Sequence, residues 1–371
     1  MSVYFITGAT GAVGSAVAAR LLDAADTRIV ALVRADSNEA ASNRLASVLA
    51  PLGVTAAESG SAPRVLALAG DVQQPRFGLT GSDYAALERD CSHVVHCAGA
   101  VRMNLPIEAA REAAVNSAHG VIELATRIAA RGRLVKVEMV STVGVGGRAH
   151  RLLREEWVGA THAFHNTYEQ AKAEAELAMR KAVDAGLPLT VHRPSMVVGD
   201  SRTGYANQFQ VFYFLAEFLS GRRTGGIFPE LGEAQLDIVP ADFVAEAIAR
   251  SSRSASTAGR ILHLCSGPDA SLPLVRLQTL FREALRQRGE RLPGIRVVPR
   301  AWFRRGVGGL RLLVNRRTRA ALGTLPVFLD YLDTEQAFDN TRTREWLAGH
   351  GIDVPVPEAY LERVLGYYLS R

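Results

Sequence analysis

The chain has 371 residues, 48% of them hydrophobic and 22% charged, with a formal net charge of +6. That is an ordinary globular composition, long enough for one large α/β domain with an appendage or for two domains. Three cysteines (Cys91, Cys97, Cys265) are too few and too irregular for a disulfide frame or a zinc site, so no metal and a reducing, cytoplasmic setting are expected.

Residues 2–7, "SVYFIT", form a short apolar run bounded by glycine, the pattern of a buried strand. "VGSAVAARLLDAA" then has helical spacing. "RIVALV" reads as the next strand, and "EAASNRLASVLAPLG" as a helix stopped by Pro51 and Gly53. "RVLALAG", "SHVVHCAG", "LVKVEMVS" and "LPLTVHRP" continue as strands with helical segments between them. Strands alternating with helices give right-handed βαβ units. The expected fold class is therefore α/β, a Rossmann-type doubly wound parallel sheet.

After about residue 195 the alternation loosens. "NQFQVFYFLAEFL" is apolar nearly all round, so it should be buried or line a greasy cavity. "DIVPADFVAEAIAR" reads as a strand end and a helix, and "GRILHLCSG" as one more strand, both returning to the main sheet. Residues 270–371 read as mostly helical. The expected division is a dinucleotide-binding domain over 1–200 with returning segments at about 236–266. A smaller, mostly helical substrate-binding portion takes 201–235 and 267–371.

Strand one runs into "TGATGAVG", residues 7–14, with Gly8, Gly11 and Gly14 three apart. Glycines at this spacing, between a strand and a helix, let the backbone turn tightly and approach a pyrophosphate seated on the helix amino end. Thr7, Thr10, Ala12 and Val13 complete that loop. The bland alternative is a mere tight turn. The second strand ends at Arg34, where an NAD-type site has an acid for the ribose hydroxyls. Arginine suits a 2′-phosphate, and Arg44, ten residues on, supplies a second positive group. Asp36 stands two residues too late to replace the acid. NADPH is the expected cofactor. "AGDV" follows strand three, where Asp71 can accept from an adenine amine and Val72 can pack on the ring. "HCAG" follows strand four, so Cys97, Ala98 and Gly99 would run beneath the cofactor.

Strand five ends in "VEMVSTVGVGG", leaving Ser141 and Thr142 at its carboxyl end, where open α/β sheets bind ligands. In "FHNTYEQAKAEAELAM", Tyr168 and Lys172 are four apart and share one helix face. Asn166 and Glu169 have the spacing of a capping box. A nearby ammonium favours the phenolate, so Lys172 is expected to lower the Tyr168 pKa. Tyr168 then exchanges a proton with a substrate oxygen as hydride arrives, and Thr142 hydrogen-bonds that oxygen. The alternative is a solvated helix on which Tyr168 packs and Lys172 faces water.

Nine arginines lie between Glu290 and Asp330 with no acid among them: Arg291, Arg296, Arg300, Arg304, Arg305, Arg311, Arg316, Arg317 and Arg319. A solvated face, phosphate binding, an acidic protein partner or an anionic membrane surface all suit such a stretch. No nucleic-acid partner is expected. No apolar run reaches the ~20 residues of a membrane span, and no signal peptide precedes strand one.

"TGATGAVG", "GDV", "HCAG", "STVGV", "YEQAK" and "HRPSMVVGDSRTG" together resemble the extended short-chain dehydrogenase/reductases. More narrowly, "NTYEQAKAEAE", "RPSMVVGDSRTG" and the arginine after strand two resemble the thioester-reductase branch. That branch holds fatty acyl-CoA reductases, carboxylic acid reductases and the terminal reductase domains of peptide and polyketide synthases. The likeness covers roughly residues 1–250. It implies catalytic roles for Thr142, Tyr168 and Lys172, and NADPH held by Gly8, Gly11, Gly14, Arg34 and Asp71. It also implies that Pro194, Ser195 and Val197 lie beside the nicotinamide, and that Ser141 and Asn116 belong to the cofactor site.

The reaction implied is reduction of an acyl thioester, carried by coenzyme A or a phosphopantetheinylated carrier protein, to an aldehyde and then an alcohol. The thioester is expected to arrive from elsewhere, since no adenylation or carrier segment precedes Met1. Three features depart from the family pattern. Ala12 and Val13 stand where a bulkier pair is usual, "HCAG" ends in glycine rather than alanine, and "NSAHG" replaces Asn-Val-x-Gly-Thr while keeping Asn116. Two other readings stay open: a ketone or alcohol dehydrogenase of the same broad type, and a cofactor-sensing protein without turnover.

Overall fold

Seven of the apolar runs pair into one parallel sheet in the computed structural model, which describes residues 1–54, 64–99, 101–103, 105–149, 151–303, 305 and 336–371. They are β1 (Ser2–Thr7), β2 (Thr27–Val33), β3 (Val65–Ala69), β4 (His93–His96), β5 (Lys136–Val140), β6 (Leu189–Pro194) and β7 (Ile261–Leu264). Their order is β7-β6-β5-β4-β1-β2-β3. Phe5 of β1 stands opposite Val30 on one side and Val94 on the other, so the chain leaves β1 in both directions. A sheet that reverses its order there opens a crevice above the carboxyl ends of β1 and β4. β5 and β6 are buried at every position, as central strands covered on both faces must be.

The helices are α1 (Ala12–Leu22), α2 (Asn38–Leu49), α3 (Gly81–Asp90), α4 (Ile107–Arg111), α5 (Ser117–Ala130), α6 (Thr167–Asp184), α7 (Val211–Leu219), α8 (Ala241–Ser252), α9 (Leu274–Gln287), α10 (Thr341–Ala348) and α11 (Leu361–Leu369). α1, α2, α8 and α10 cover one face of the sheet through Leu21, Leu45, Val244 and Trp346. α3, α5 and α6 cover the other through Leu87, Val121 and Ala175. A third apolar cluster joins α7, α9 and α11 through Phe212, Phe281 and Val364. Gly53, at φ +82°, ends the α2 region just after Pro51, where the sequence put the stop.

The second half is less purely helical than its composition suggested. Arg296–Val298 pairs in parallel with Ile227–Pro229, and Ala337–Phe338 with Leu152–Leu153. Arg304, Arg311, Arg316, Arg317 and Arg319 of the arginine-rich stretch lie outside the described residues. Among the described residues, no helix is long and apolar enough to cross a membrane.

Candidate active site

The glycine loop forms because two of its glycines have no room for a side chain. Gly8 takes φ +75°, and a Cβ there would stand 2.5 Å from the Ala98 nitrogen. A Cβ on Gly14 would collide with the Gly8 carbonyl oxygen. Gly11 is different: its nearest neighbour is the Gly8 oxygen at 3.2 Å, and its open side faces a cavity of about 300 Å³. Gly11 also caps α1 without any side-chain hydrogen bond, and no acid sits in the first turn. The amino end of α1 therefore keeps its N–H groups and partial positive charge for an anion from outside. This cradle fits the pyrophosphate of a dinucleotide.

The same cavity runs from Gly11, Ala12, Val13 and Gly14 past Cys97 and Gly99 to Ser141, Thr142, Tyr168 and Lys172, with Pro194, Ser195 and Val197 along another wall. The sites expected from three distant strand ends and one helix thus meet. α6 places Tyr168 and Lys172 on one inward face, one turn apart. Its cap differs in detail from a capping box. Asn166 accepts from the Glu169 N–H at 3.0 Å, but Glu169 reaches past Asn166 to accept from the His165 N–H at 3.0 Å.

Lys172 is buried and donates to the Val140 carbonyl oxygen at 3.0 Å. Burial drives its ammonium down to about 8, with Cys97 and Glu176 pulling the other way. The Tyr168 phenol is not lowered as the sequence led us to expect. Enclosure by protein pushes it up to about 12, against a lowering hydrogen bond from Thr142 and a further rise from Glu169. The Lys172 proton is turned to a backbone carbonyl, and desolvation of the phenol outweighs the nearby charge. Thr142 Oγ1 accepts from the Gly144 N–H at 3.1 Å, which leaves its own proton to donate. Cys97 is raised to about 12 by burial, so it is an un-ionised wall and not a nucleophile.

Several expected cofactor residues have other duties. The Thr7 hydroxyl shares a 2.7 Å hydrogen bond with His96 Nδ1 and accepts from the Ala98 N–H at 3.4 Å. It fastens β1 to β4 under the loop and is fully buried. The Ser141 hydroxyl donates to Glu176 at 2.5 Å, so only its remaining surface meets the cavity. Asn116 is exposed at the end of a π-helical turn, Glu112–Asn116, and is not part of the cavity wall. That turn adds a residue to the helix and rotates the side chains that follow. Gly8, Thr10, Ala98, Asp71 and Val72 also lie outside the cavity wall, and the Asp71 carboxylate accepts from the Gln73 N–H at 3.0 Å. Arg34 is exposed just past β2, without an ion pair among the described residues, and Arg44 donates to its carbonyl oxygen at 2.8 Å.

The profile of the male sterility protein family matches residues 6–248. The chain belongs to that family. Within it, the chain is of the extended short-chain dehydrogenase/reductase type, in the thioester-reductase branch. Its relatives make it an NAD(P)-dependent oxidoreductase, and the glycine cradle fits that cofactor. It is 31% identical over 250 residues to an isonitrile lipopeptide synthase of Streptomyces coeruleorubidus, covering 67% of this chain and 16% of that protein. With the L-2-aminoadipate reductase large subunit of Eremothecium gossypii it shares 28% over 271 residues, 68% of this chain and 19% of the relative. The chain thus spans less than a fifth of each of these relatives. The solved terminal R domain from the myxalamid PKS-NRPS pathway superposes with a TM-score of 0.81 at 27% identity, covering 100% of this chain and 90% of that one.

Two features of this member of the male sterility family escaped sequence reasoning. The first is the set of walls contributed from afar: Met103, Leu236, Leu274, Gln336 and Phe338, whereas Leu215 belongs to the apolar stretch expected to be buried or to line a cavity. The second is a buried ion pair. Arg193 of β6, fully buried, grips Glu176 of α6 through Nε at 2.9 Å and Nη2 at 2.5 Å. Glu176 is one helical turn beyond Lys172 and also holds Ser141 next to Thr142. One pair of charges thereby ties α6, β5 and β6 together behind the site. A charged residue inside an apolar strand, as in "LPLTVHRP", was the available signal, because buried charges require partners.

Proposed function

We infer that the chain reduces an acyl thioester, on a carrier protein or coenzyme A, with NADPH. The observation that carries this reading is one cavity lined by Tyr168, Thr142 and Lys172 and by the open side of Gly11. The bound dinucleotide supplies a hydride. Tyr168 gives its proton to the thioester oxygen as the carbonyl carbon gains that hydride, and Thr142 donates a hydrogen bond to the same oxygen. The hemithioacetal then breaks its carbon–sulfur bond, releasing aldehyde and a thiol that takes up the proton. A second round on the aldehyde gives the alcohol. Val101, Met103, Val143, Leu215, Leu236 and Leu274 give the cavity apolar walls, beside Gln208, Gln210, Gln235, Asp237 and Gln336, and such walls suit an uncharged acyl group. Leu215 and Leu274 come from the portion formed by 201–235 and 267–371, which we assign to substrate; Val101, Met103, Val143 and Leu236 come from the dinucleotide-binding portion.

The preference for NADPH rests on the exposed Arg34 and Arg44 and on the lack of an acid at position 34. The test is direct. The purified protein is mixed with NADPH or NADH and with acyl-pantetheine, acyl-CoA and ketone substrates, and products are identified by mass spectrometry. Aldehyde or alcohol from thioesters, faster with NADPH, supports the reading. Turnover of ketones alone would refute it. Arg34→Ala should raise the KM for NADPH roughly tenfold, the worth of one charge-assisted contact, and leave that for NADH nearly unchanged.

A further inference from the structure

We propose that Arg193 is a positioning residue for the reaction: by holding Glu176, it keeps the Lys172 ammonium free of an ion pair and available to the cavity. The proposal rests on the catalytic reading of Lys172 above, and its test reads that lysine directly. Lys172 and Glu176 are four apart on α6, the spacing at which a lysine and a glutamate meet. Both are buried, where opposite charges attract more strongly than in water. Yet no ion pair joins them. The ammonium donates to the Val140 carbonyl oxygen, and the two carboxylate oxygens of Glu176 accept from Arg193 at 2.9 and 2.5 Å.

Arg193 is itself fixed. Its Nη1 donates to the Glu156 carbonyl oxygen at 3.0 Å and to His263 Nε2 at 3.2 Å. The other His263 nitrogen faces the Asp339 carbonyl oxygen at 2.7 Å. A carbonyl only accepts, so Nδ1 carries the ring proton and Nε2 is left to accept from the guanidinium. Burial first, then Arg193, drives His263 down to about 3, which keeps that ring neutral. The planar fork is therefore held in one orientation, facing Glu176.

No other acid competes for Lys172. Tyr168 on α6 and Cys97 after β4 are both raised to about 12, and His96 of β4 is driven down to about 3, so all three are uncharged near neutrality. Glu138 of β5 is taken up by His192 and Ser251, and Glu169 by His165. Glu176 is the carboxylate that acts on Lys172, and Arg193 decides where it points. The same carboxylate accepts from Ser141 at 2.5 Å. Successive turns of α6 thus hold three consecutive residues at the end of β5: Tyr168 at Thr142, Lys172 at Val140 and Glu176 at Ser141. A Glu176 drawn to Lys172 would disturb two of the three.

The chain has three lysines, Lys136, Lys172 and Lys181. In protein labelled with 13C-lysine their side-chain NMR signals are few, and the Lys172 signal is the one absent from Lys172→Met. The full chain, Arg193→Gln, Arg193→Lys and Glu176→Gln/Arg193→Gln are titrated, and kcat/KM for acyl-pantetheine with NADPH is followed over the same pH range. The wild-type midpoint is about 8. Arg193→Gln should raise it to about 9 or above, because the released carboxylate pairs with the ammonium, and should lower kcat. Arg193→Lys keeps a positive charge and the double variant has no carboxylate to release, so both should stay near the wild-type midpoint. An unmoved midpoint in Arg193→Gln overturns the proposal, and so does a double variant that rises with it. Where Arg193→Gln does not fold, the double variant decides. A midpoint that falls by about one unit or more shows Glu176 already supporting Lys172 in the wild type and overturns the proposal; an unchanged one upholds it. A kcat/KM limb that ignores a shifted Lys172 midpoint would instead sink the catalytic role of the lysine, on which the proposal rests.

Discussion

The Lys172 ammonium donates to the carbonyl oxygen of Val140, 3.0 Å away and two residues before Thr142. Burial holds that ammonium at about 8, whereas the Tyr168 phenol stays protonated up to about 12. On the basic side, the first group to change charge is therefore the lysine. The kcat/KM should fall with an apparent pKa near 8. Lys172→Met should be slow at every pH and should lack that limb; a wild-type limb retained in the variant would assign the ionisation elsewhere. The same shift has a stability sign. The folded value lies below the unfolded 10.5, so the unfolded chain binds more protons between the two. This group's contribution to stability therefore rises as pH climbs from about 8 to 10.5, by on the order of 3 kcal/mol. Denaturant titrations of wild type and Lys172→Met across that window measure the difference.

Tyr168→Phe keeps the ring and removes the proton donor. The kcat/KM should drop by roughly 10²–10⁴, the usual worth of a placed general acid. Dinucleotide affinity, read by fluorescence titration, should change little, because the glycine cradle and the ring are kept and only the hydroxyl is lost. Turnover close to wild type would remove Tyr168 from the chemistry.

Gly14 and Gly11 should fail in different ways when replaced by alanine. At Gly14 the added carbon meets the Gly8 backbone, which cannot move aside, so Gly14→Ala should cost about 1–3 kcal/mol of stability and abolish cofactor binding. At Gly11 the added carbon meets only the Gly8 oxygen, at a tight 3.2 Å that a small shift relieves, and the methyl faces the cavity. Gly11→Ala should lose far less Tm than Gly14→Ala and weaken the dinucleotide. Thermal melts with and without NADPH separate the two cases.

Glu176→Gln leaves the buried Arg193 guanidinium without its counter-charge. Removing one member of such a pair costs about 3–5 kcal/mol, while replacing both by apolar residues is often neutral. The double variant Glu176→Leu/Arg193→Leu should therefore melt well above Glu176→Gln. If the two melt alike, the pair is not what sets stability there.

What the sequence made legible was local. A glycine every third residue, an aromatic and a lysine one helical turn apart, and apolar runs ending in small polar residues are patterns imposed by the backbone itself. Gly11, Thr142, Tyr168 and Lys172, read from such patterns, line one cavity. The direction of a hydroxyl is not such a pattern. Thr7 and Ser141 sit where a ligand-facing oxygen was expected, but His96 and Glu176, distant in the chain, claim them. Asn116 stands exposed at the end of a π-helical turn that no propensity marks. Gln336 and Phe338 reach the cavity only because their strand pairs with Leu152–Leu153, a contact across nearly half the chain. The lowered phenol was a two-residue argument, and the whole enclosure overruled it.

The packing of α1 against α8 sets a condition on how the protein is made. Leu21 of α1 is covered by the helix that carries Val244 and Ile248, and Tyr4 of the central strand shares a 3.1 Å hydrogen bond with Ser252. Those partners emerge from the ribosome some 220 residues later. At ordinary translation speeds of about 5–20 residues per second, the wait is roughly 10–45 s. For that time a nascent chain presents a greasy helix and a half-covered strand to the cell, so truncated or stalled copies should aggregate or occupy chaperones. Selection on the α1 surface thus acts on the unfinished polypeptide as well as on the finished one.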